Sequence, residues 1–333
     1  MRLATYNIEW FSNLFTDANK PDPSTEWSGR WNITRTAQLT ALKTVFHAMD
    51  ADAVMVIEAP DQGSSRDCTL ALERFAAWAG LRTTRAVTGF ESHTQQEIAL
   101  LYDPAVVVDA QHDPRESEAA PRFDKKFKRD LDVDDRPETV VWSKPPCELA
   151  LTTARGTALR LIGVHAKSKA PHGARDDADA MRLSIANRRK QHAQCLWLRA
   201  RLDADLAAGD DVIVLGDFND GPGLDQFEEL FGRSGVEIVL GADGTYPLYD
   251  PNALLPLRPG AAQASSARFY NRQTKRYFNA LIDFVMVSPR LRPLTTWRIL
   301  HPFDDPACFG DAGLRDALLL ASDHFPVVVE IDI

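Results

Sequence analysis

Cysteine is scarce: the 333 residues hold four, Cys68, Cys147, Cys195 and Cys308, with no C-x-x-C pair among them. That spacing disfavours a zinc site and offers no disulfide framework, so a reducing compartment is the expectation. Long apolar runs are missing as well. The most apolar stretches, such as Val212 to Leu215 and Val327 to Val329, have the length of buried strands and fall far short of the roughly 18 residues of a membrane span. The chain opens Met1-Arg2-Leu3-Ala4-Thr5-Tyr6-Asn7-Ile8, without the charged leader and apolar stretch of a secretory signal. A cytoplasmic protein without membrane insertion, and a monomer, is the expectation. Nor is there an excess of positive charge: 38 Lys and Arg against 47 Asp and Glu give −9 at pH 7. This excludes a protein that coats nucleic acid through clustered cations, but not an enzyme that meets phosphate through a metal.

What is present is ordinary globular composition, with 44% hydrophobic and 26% charged residues, which rules out disorder and collagen-like repeats. Short β-branched runs at Leu3 to Ile8, Ala53 to Ile57, Ile98 to Tyr102, Ala105 to Val108, Leu159 to Val164, Val212 to Leu215, Ile282 to Val287 and Pro326 to Ile331 predict strands. Between them, Leu39, Leu42, Val45, Phe46 and Met49 follow the 3.6-residue period of a helix over Thr34 to Met49. A second helix is predicted from about Asp177 to Leu206, where Cys195, Leu198, Leu202 and Leu206 form the apolar stripe and Gly209 follows as a stop signal. Strands interleaved with helices, but not in strict βαβ alternation, point to an α+β sandwich with helices outside.

Two segments look like insertions. Residues 111–138 are dense in charge, with Lys125, Lys126, Lys128 and Arg129 followed by Asp130, Asp132, Asp134 and Asp135, and read as a solvated loop or a substrate-facing lid. Residues 247–275 hold four prolines and end in Arg268, Arg272 and Lys275, with Arg276 just beyond. No linker separates autonomous domains, so one domain of 333 residues is expected.

Polar residues cluster at the ends of the apolar runs, where strands emerge. Asn7 ends the first, Glu58 ends Ala53-Val54-Met55-Val56-Ile57, His165 ends Leu161-Ile162-Gly163-Val164, and Asp217 and Asn219 lie in Leu215-Gly216-Asp217-Phe218-Asn219. Asp283 interrupts Leu281-Ile282-Asp283-Phe284-Val285, and Ser322-Asp323-His324 precedes the last run. Singly, each has a bland explanation as a turn former, helix cap or satisfied core histidine. Asp283 differs, because a carboxylate in a core strand must be paired, and His324 is a natural partner.

Together and in this order the motifs are specific. From Leu3 to Val329 the chain resembles the endonuclease/exonuclease/phosphatase superfamily, with its DNase I-like fold. Gly216-Asp217-Phe218-Asn219 is similar to the family's G-D-F-N, Ser322-Asp323-His324 to its S-D-H and Ile282-Asp283-Phe284 to its I-D-Y/F; Asn7 and Glu58 resemble its first two motifs, and His165-Ala166-Lys167-Ser168 its central histidine motif. Two departures stand out. Ile57 replaces the Gln often found before the metal-binding Glu, and Gly163 replaces the Asn often found two residues before the central His.

The resemblance implies a four-layered α/β/β/α sandwich of two packed, mostly antiparallel sheets, and a phosphoesterase using Mg²⁺ or Mn²⁺. Glu58, Asn7 and Asp323 would offer hard oxygens to the ion. Attack by water needs a base or positioning group, either Asp217 or the Asp283–His324 pair; alternatively, His324 held cationic by Asp283 would bind developing charge. His165 would protonate the leaving oxygen, since an unperturbed imidazole titrates near working pH. Asn7 and Asn219 would orient phosphate or water, with Lys167, Arg272 and Arg276 adding charge. Glu9, Trp10 and Phe11 follow the first motif closely and are candidates for substrate contact, with rim packing the favoured reading of the two aromatics. Arg268, Arg272, Lys275 and Arg276 interleave with Phe269, Tyr270, Tyr277 and Phe278, a mixture suited to a phosphate-bearing ligand such as single-stranded nucleic acid. Three functions compete: a nuclease or related phosphodiesterase, possible on DNA; a phosphatase or phosphodiesterase for a small molecule or lipid headgroup; and a binding module that has lost catalysis.

Overall fold

The apolar runs form strands buried on both faces, which is why β2 (Ala53–Ala59) reads as a near-continuous hydrophobic stretch instead of an alternating one. The computed structural model describes residues 1–129, 138–171, 173–221, 232–254, 264–271 and 274–333. Two main sheets lie face to face. The first runs β14 (Thr295–Ile299), β15 (Val327–Ile331), β1 (Arg2–Asn7), β2, β4 (Glu97–Tyr102), β3 (Arg85–Thr88), with only the central β1–β2 pair parallel. The second runs β13 (Asp283–Val287), β10 (Val212–Asp217), β9 (Ala158–His165), β8 (Cys147–Thr153), β5 (Val107–His112), and again one pair, β9–β10, is parallel. Two small ladders, β6 (Phe127–Arg129) with β7 (Glu138–Val140) and β11 (Ala267–Asn271) with β12 (Arg276–Ala280), stand apart from them.

Three apolar layers hold the sandwich. Between the sheets, Leu3, Met55, Ile57, Leu161, Ile213, Leu215, Val285 and Val327 interlock. Outside the first sheet, α1 (Arg35–Met49), α2 (Cys68–Ala79) and α7 (Ala312–Ala321) bury Leu39, Phe46, Phe75 and Leu318. Outside the second, α3 (Asp177–Ala207) and α4 (Gly235–Leu240) bury Trp197, Leu198, Val236 and Leu240. The expected α/β/β/α layering is therefore the observed one. Two short α-helices, α5 (Pro251–Leu254) and α6 (Pro306–Gly310), and two 3₁₀ turns, Phe11–Leu14 and Arg292–Leu294, complete the described elements.

Local chemistry sets the boundaries. The Thr34 hydroxyl accepts from the Ala37 N–H and starts α1, and Asp50 ends it in a left-handed conformation. The strand expected at Ala105 to Val108 starts instead at Val107 and runs to His112. The Asp103 carboxylate and carbonyl hold residues 103–106 in a turn, accepting from the N–H groups of Ala105 and Val106. The segment 111–138 is more than a solvated loop: Phe123 and Phe127 pack with Trp142 and Trp197 beneath α3, while residues 130–137, with the aspartates noted above, lie outside the described residues. Among the described residues no helix is long and apolar enough to cross a membrane.

The pairing of parallel strands positions the site. β1 and β2 face β9, β10 and β13 across the central layer. The C-terminal ends of β1, β2, β9 and β10 and the N-terminal ends of β13 and β15 thus share one edge of the sandwich.

Candidate active site

Asn7 and Asp217 come from different sheets, and their side chains meet: the Asn7 amide donates to Asp217 Oδ2 at 3.0 Å. Asn219 supports the same carboxylate twice, through its N–H to Oδ1 at 2.7 Å and its amide to Oδ2 at 3.1 Å. The approach of β9 to β10 needs Gly216 at φ 137°, because a Cβ there would lie 2.0 Å from the Val164 carbonyl. Asn219 itself is left-handed at φ 50°. Glu58 shares that conformation at φ 61°, where β2 skips register against β4 between Ile57 and Ala59. This bulge turns the Glu58 side chain out of the strand pattern and into the cleft. Such left-handed residues cost on the order of 1 kcal/mol or more and concentrate at functional sites.

Asp283 opens β13 directly opposite Asp217. Its Oδ2 accepts from His324 Nδ1 at 2.9 Å and from the Ser266 hydroxyl at 2.8 Å. Burial alone would lower the His324 pKa, yet Asp283, with help from Asp217 and Asp323, holds it well above the ordinary value, so His324 is a cation. His165 is the reverse case: burial, Lys144 and His324 push its pKa well down, so it is neutral although Asp217 Oδ2 lies 3.5 Å from Nε2. Burial raises Asp217 to about 7, with His324 opposing and Asp283 reinforcing the shift. Glu58 is also raised, by burial, against the pull of Lys144 and His324. Glu9 is pushed up to about 7 by burial and Asp323, although Arg30 pairs with it at 2.8 Å.

Asn7, Glu9, Glu58, His165, Asn219 and His324 line a cleft of about 730 Å³ together with Asp323, Lys167, Lys169, Phe269 and Phe278, and the buried Asp217 and Asp283 back it through their hydrogen bonds to Asn7, Asn219 and His324. Arg276 is not among the lining residues; it is exposed in β12, paired with Asn271 at the hairpin end of the ladder, on the same side as Phe278. Arg272 lies outside the described residues. Trp10 is half-exposed, its indole N–H donating to Glu9 Oε1 at 3.1 Å, and Phe11 is buried against Phe15 and Phe75. The two departures from the motif pattern also have a packing explanation. Ile57 belongs to the inter-sheet layer, and a Cβ on Gly163 would lie 2.5 Å from Met55 Sδ and 2.7 Å from Ile98 Cγ2.

Sequence reasoning missed three supports. Lys144 Nζ sits 3.2 Å from the ring nitrogens of His165, and nothing in Ser143-Lys144-Pro145-Pro146 marks it. The Gln191 amide donates to the carbonyls of Lys167, Phe218 and Asn219, clamping two site loops to α3. Its signal was available, since Gln191 extends the stripe of Cys195, Leu198 and Leu202 by one turn. Buried Asp220 holds Lys169 at 2.7 Å, Arg188 at 2.5 Å and the Gly235 N–H at 2.6 Å, fixing the loop after β10.

Two oxygen-rich sets could hold a cation. Asp217, Asp283 and His324 each offer an atom within 4.8 Å of the others, but those atoms already bond one another or the Asn7 and Asn219 amides. Asn7 Oδ1, by contrast, is buried without a partner among the described residues, in the same cleft as the Glu58 and Asp323 carboxylates.

The sequence profile of the Endonuclease/Exonuclease/phosphatase family matches residues 4–324. The chain belongs to this family. Phosphoester hydrolysis is the reaction class of its nucleases and phosphatases, and divalent metals are their general cofactor. No curated protein sequence matches the chain. Among solved structures, truncated Caenorhabditis elegans TDP2 is 15% identical, with 98% of this chain and 96% of that chain covered and a TM-score of 0.50. D. rerio TDP2 complexed with single strand DNA product is 11% identical, with 100% and 99% covered and a TM-score of 0.50. An AP endonuclease from Archaeoglobus fulgidus is 11% identical over 100% of both chains, at a TM-score of 0.49. At such identities the likeness concerns the family fold.

Proposed function

We propose that this chain is a divalent-metal-dependent phosphodiesterase of nuclease type, hydrolysing a P–O bond by attack of water. The observation that carries the reading is the convergence, at one cleft, of a cationic histidine, a neutral histidine and an amide oxygen unpartnered among the described residues, backed by the buried Asp217 carboxylate that titrates near neutrality and bonds the Asn7 and Asn219 amides. Asn7 Oδ1, Glu58 and Asp323 fit a hard cation such as Mg²⁺ or Mn²⁺, because carboxylate and amide oxygens suit such ions and Asn7 Oδ1 otherwise lacks a partner among the described residues. An ion held there would supply positive charge to a phosphate oxygen.

The protein's own groups divide the remaining work. His324, cationic and oriented by Asp283, donates from Nε2 to the developing phosphorane charge. Asp217, steadied by Asn7 and Asn219, takes the proton from attacking water. His165 is assigned differently from the sequence expectation. Neutral, it steadies the departing oxygen with a hydrogen bond from its N–H and does not act as the acid; that oxygen leaves as an oxyanion and takes its proton from solvent water, to which Asp217 returns the proton it accepted. Lys144 and Lys167 add positive charge to the cleft wall.

The test is hydrolysis of bis-p-nitrophenyl phosphate, p-nitrophenyl phosphate, DNA and RNA by the purified chain with Mg²⁺ or Mn²⁺. Diester cleavage that EDTA abolishes and His324→Ala strongly reduces is expected. Undiminished cleavage by His324→Ala refutes the mechanism, and hydrolysis of the monoester alone replaces the diesterase reading with a phosphatase.

A further inference from the structure

The β11–β12 ladder is a wall with two working faces. Opposite residues of a ladder share a face, so the pairs Phe269–Phe278 and Tyr270–Tyr277 point to opposite sides. Phe269 and Phe278 line the catalytic cleft, with the Phe269 ring 5.5 Å from that of His324. Tyr270 and Tyr277, their rings 5.1 Å apart, line a second groove of about 930 Å³, completed by Trp31, Phe303 and Leu319. The two hollows are continuous: Glu9, Phe269 and Asp323 border both.

The chemistry of this groove is distinctive. Trp31 is 91% exposed and Tyr277 59%, so ring faces are presented to solvent next to the site. The Arg268 guanidinium lies 4.6 Å from the Tyr277 ring and 5.1 Å from that of Phe303, and it makes no ion pair among the described residues. A cation without a carboxylate, held between aromatic faces, matches a ligand that alternates phosphates with flat rings. A lipid chain would call for an aliphatic wall, and a paired duplex would keep its bases stacked on one another. We propose that the groove is a stacking subsite for the unpaired bases of a single-stranded nucleic acid whose scissile phosphate lies in the cleft. This rests on the phosphodiesterase reading and narrows its substrate.

Two measurements separate the claims. The first is fluorescence anisotropy of labelled oligothymidylate and oligouridylate with the full chain in EDTA, where binding is read without cleavage. Trp31→Ala and Tyr277→Ala are each expected to weaken binding by roughly 5- to 100-fold, with Trp31→Phe retaining most of it. The second is kcat/KM with Mn²⁺. The same variants lose oligonucleotide cleavage but keep wild-type hydrolysis of bis-p-nitrophenyl phosphate, since neither residue lines the cleft. The better-bound strand tells DNA from RNA. Wild-type binding by both alanine variants overturns the groove assignment, as does failure of the wild-type chain to bind either oligonucleotide while it hydrolyses the small diester. Loss confined to hydrolysis of phosphatidylcholine in vesicles would replace the nucleobase with a lipid. Oligonucleotide binding that depends on Trp31, without hydrolysis of any diester, would leave the groove standing and the catalytic reading refuted.

Discussion

Replacing Asp283 by Asn removes one charge while keeping the shape of the side chain, and it tests the central claim that His324 acts as a cation. The imidazole and carboxylate are both nearly buried and 2.9 Å apart, and burial alone would drive the His324 pKa down. Asp283 is the first of the groups that oppose burial, so its loss lowers that pKa. Asp217 feels opposed losses, because cationic His324 lowers its pKa and Asp283 raises it, so the diagnostic shift is that of His324. The alkaline limb of the kcat–pH profile, set by deprotonation of His324, moves to lower pH. At neutral pH, losing the charged donor to the transition state costs about 3–4 kcal/mol, roughly 10²- to 10³-fold in kcat. The assay is a kcat–pH profile on bis-p-nitrophenyl phosphate at saturating Mn²⁺, with urea unfolding as a check on the fold. Wild-type kcat with the alkaline limb unmoved would sink the argument.

Three other expectations follow from the same geometry. Asp217→Asn removes the acid limb, which in the wild type makes the rate rise with pH through about 7, and lowers kcat by roughly 10²- to 10⁴-fold. Lys144→Met deletes a cation 3.2 Å from the His165 ring: the His165 NMR titration should move up in pH, and KM for the diester should rise about tenfold if this charge helps to hold phosphate. Gly163→Ala forces a methyl against Met55 and Ile98 and should destabilise the fold by about 1–3 kcal/mol in urea, with kcat per folded molecule little changed.

The layered architecture was legible because strand and helix periods are local. Seven of the eight predicted strand runs sit within a residue or two of observed strands, and the stripe of Cys195, Leu198 and Leu202 is the buried face of α3. The miss at Ala105 arose from turn chemistry, in which Asp103 outcompeted the strand for backbone groups. Elements such as α2 and α7 went unnoticed because short amphipathic segments carry weak periodic signals. Arg276 looked suited to substrate by its neighbours in sequence; alternation sets it on the same side as the cleft-lining Phe278, but at the hairpin end of the ladder it is not among the residues that line the cleft.

The sequence by itself determined which chemical groups are available, their order along the chain, and the family in which that order belongs. Those properties follow from residue type and spacing alone. Only the tertiary structure decided what state each group is in. Asn7 and Asp217 are 210 residues apart and His324 and Asp283 are 41 apart, yet each pair is hydrogen-bonded in a buried cleft. Two histidines with the same intrinsic pKa are driven in opposite directions there, His324 upward against burial by the Asp283 carboxylate on its ring and His165 downward by burial, then Lys144 and His324. Desolvation and charge act through space, so distance in the fold, not spacing in the chain, divides their roles.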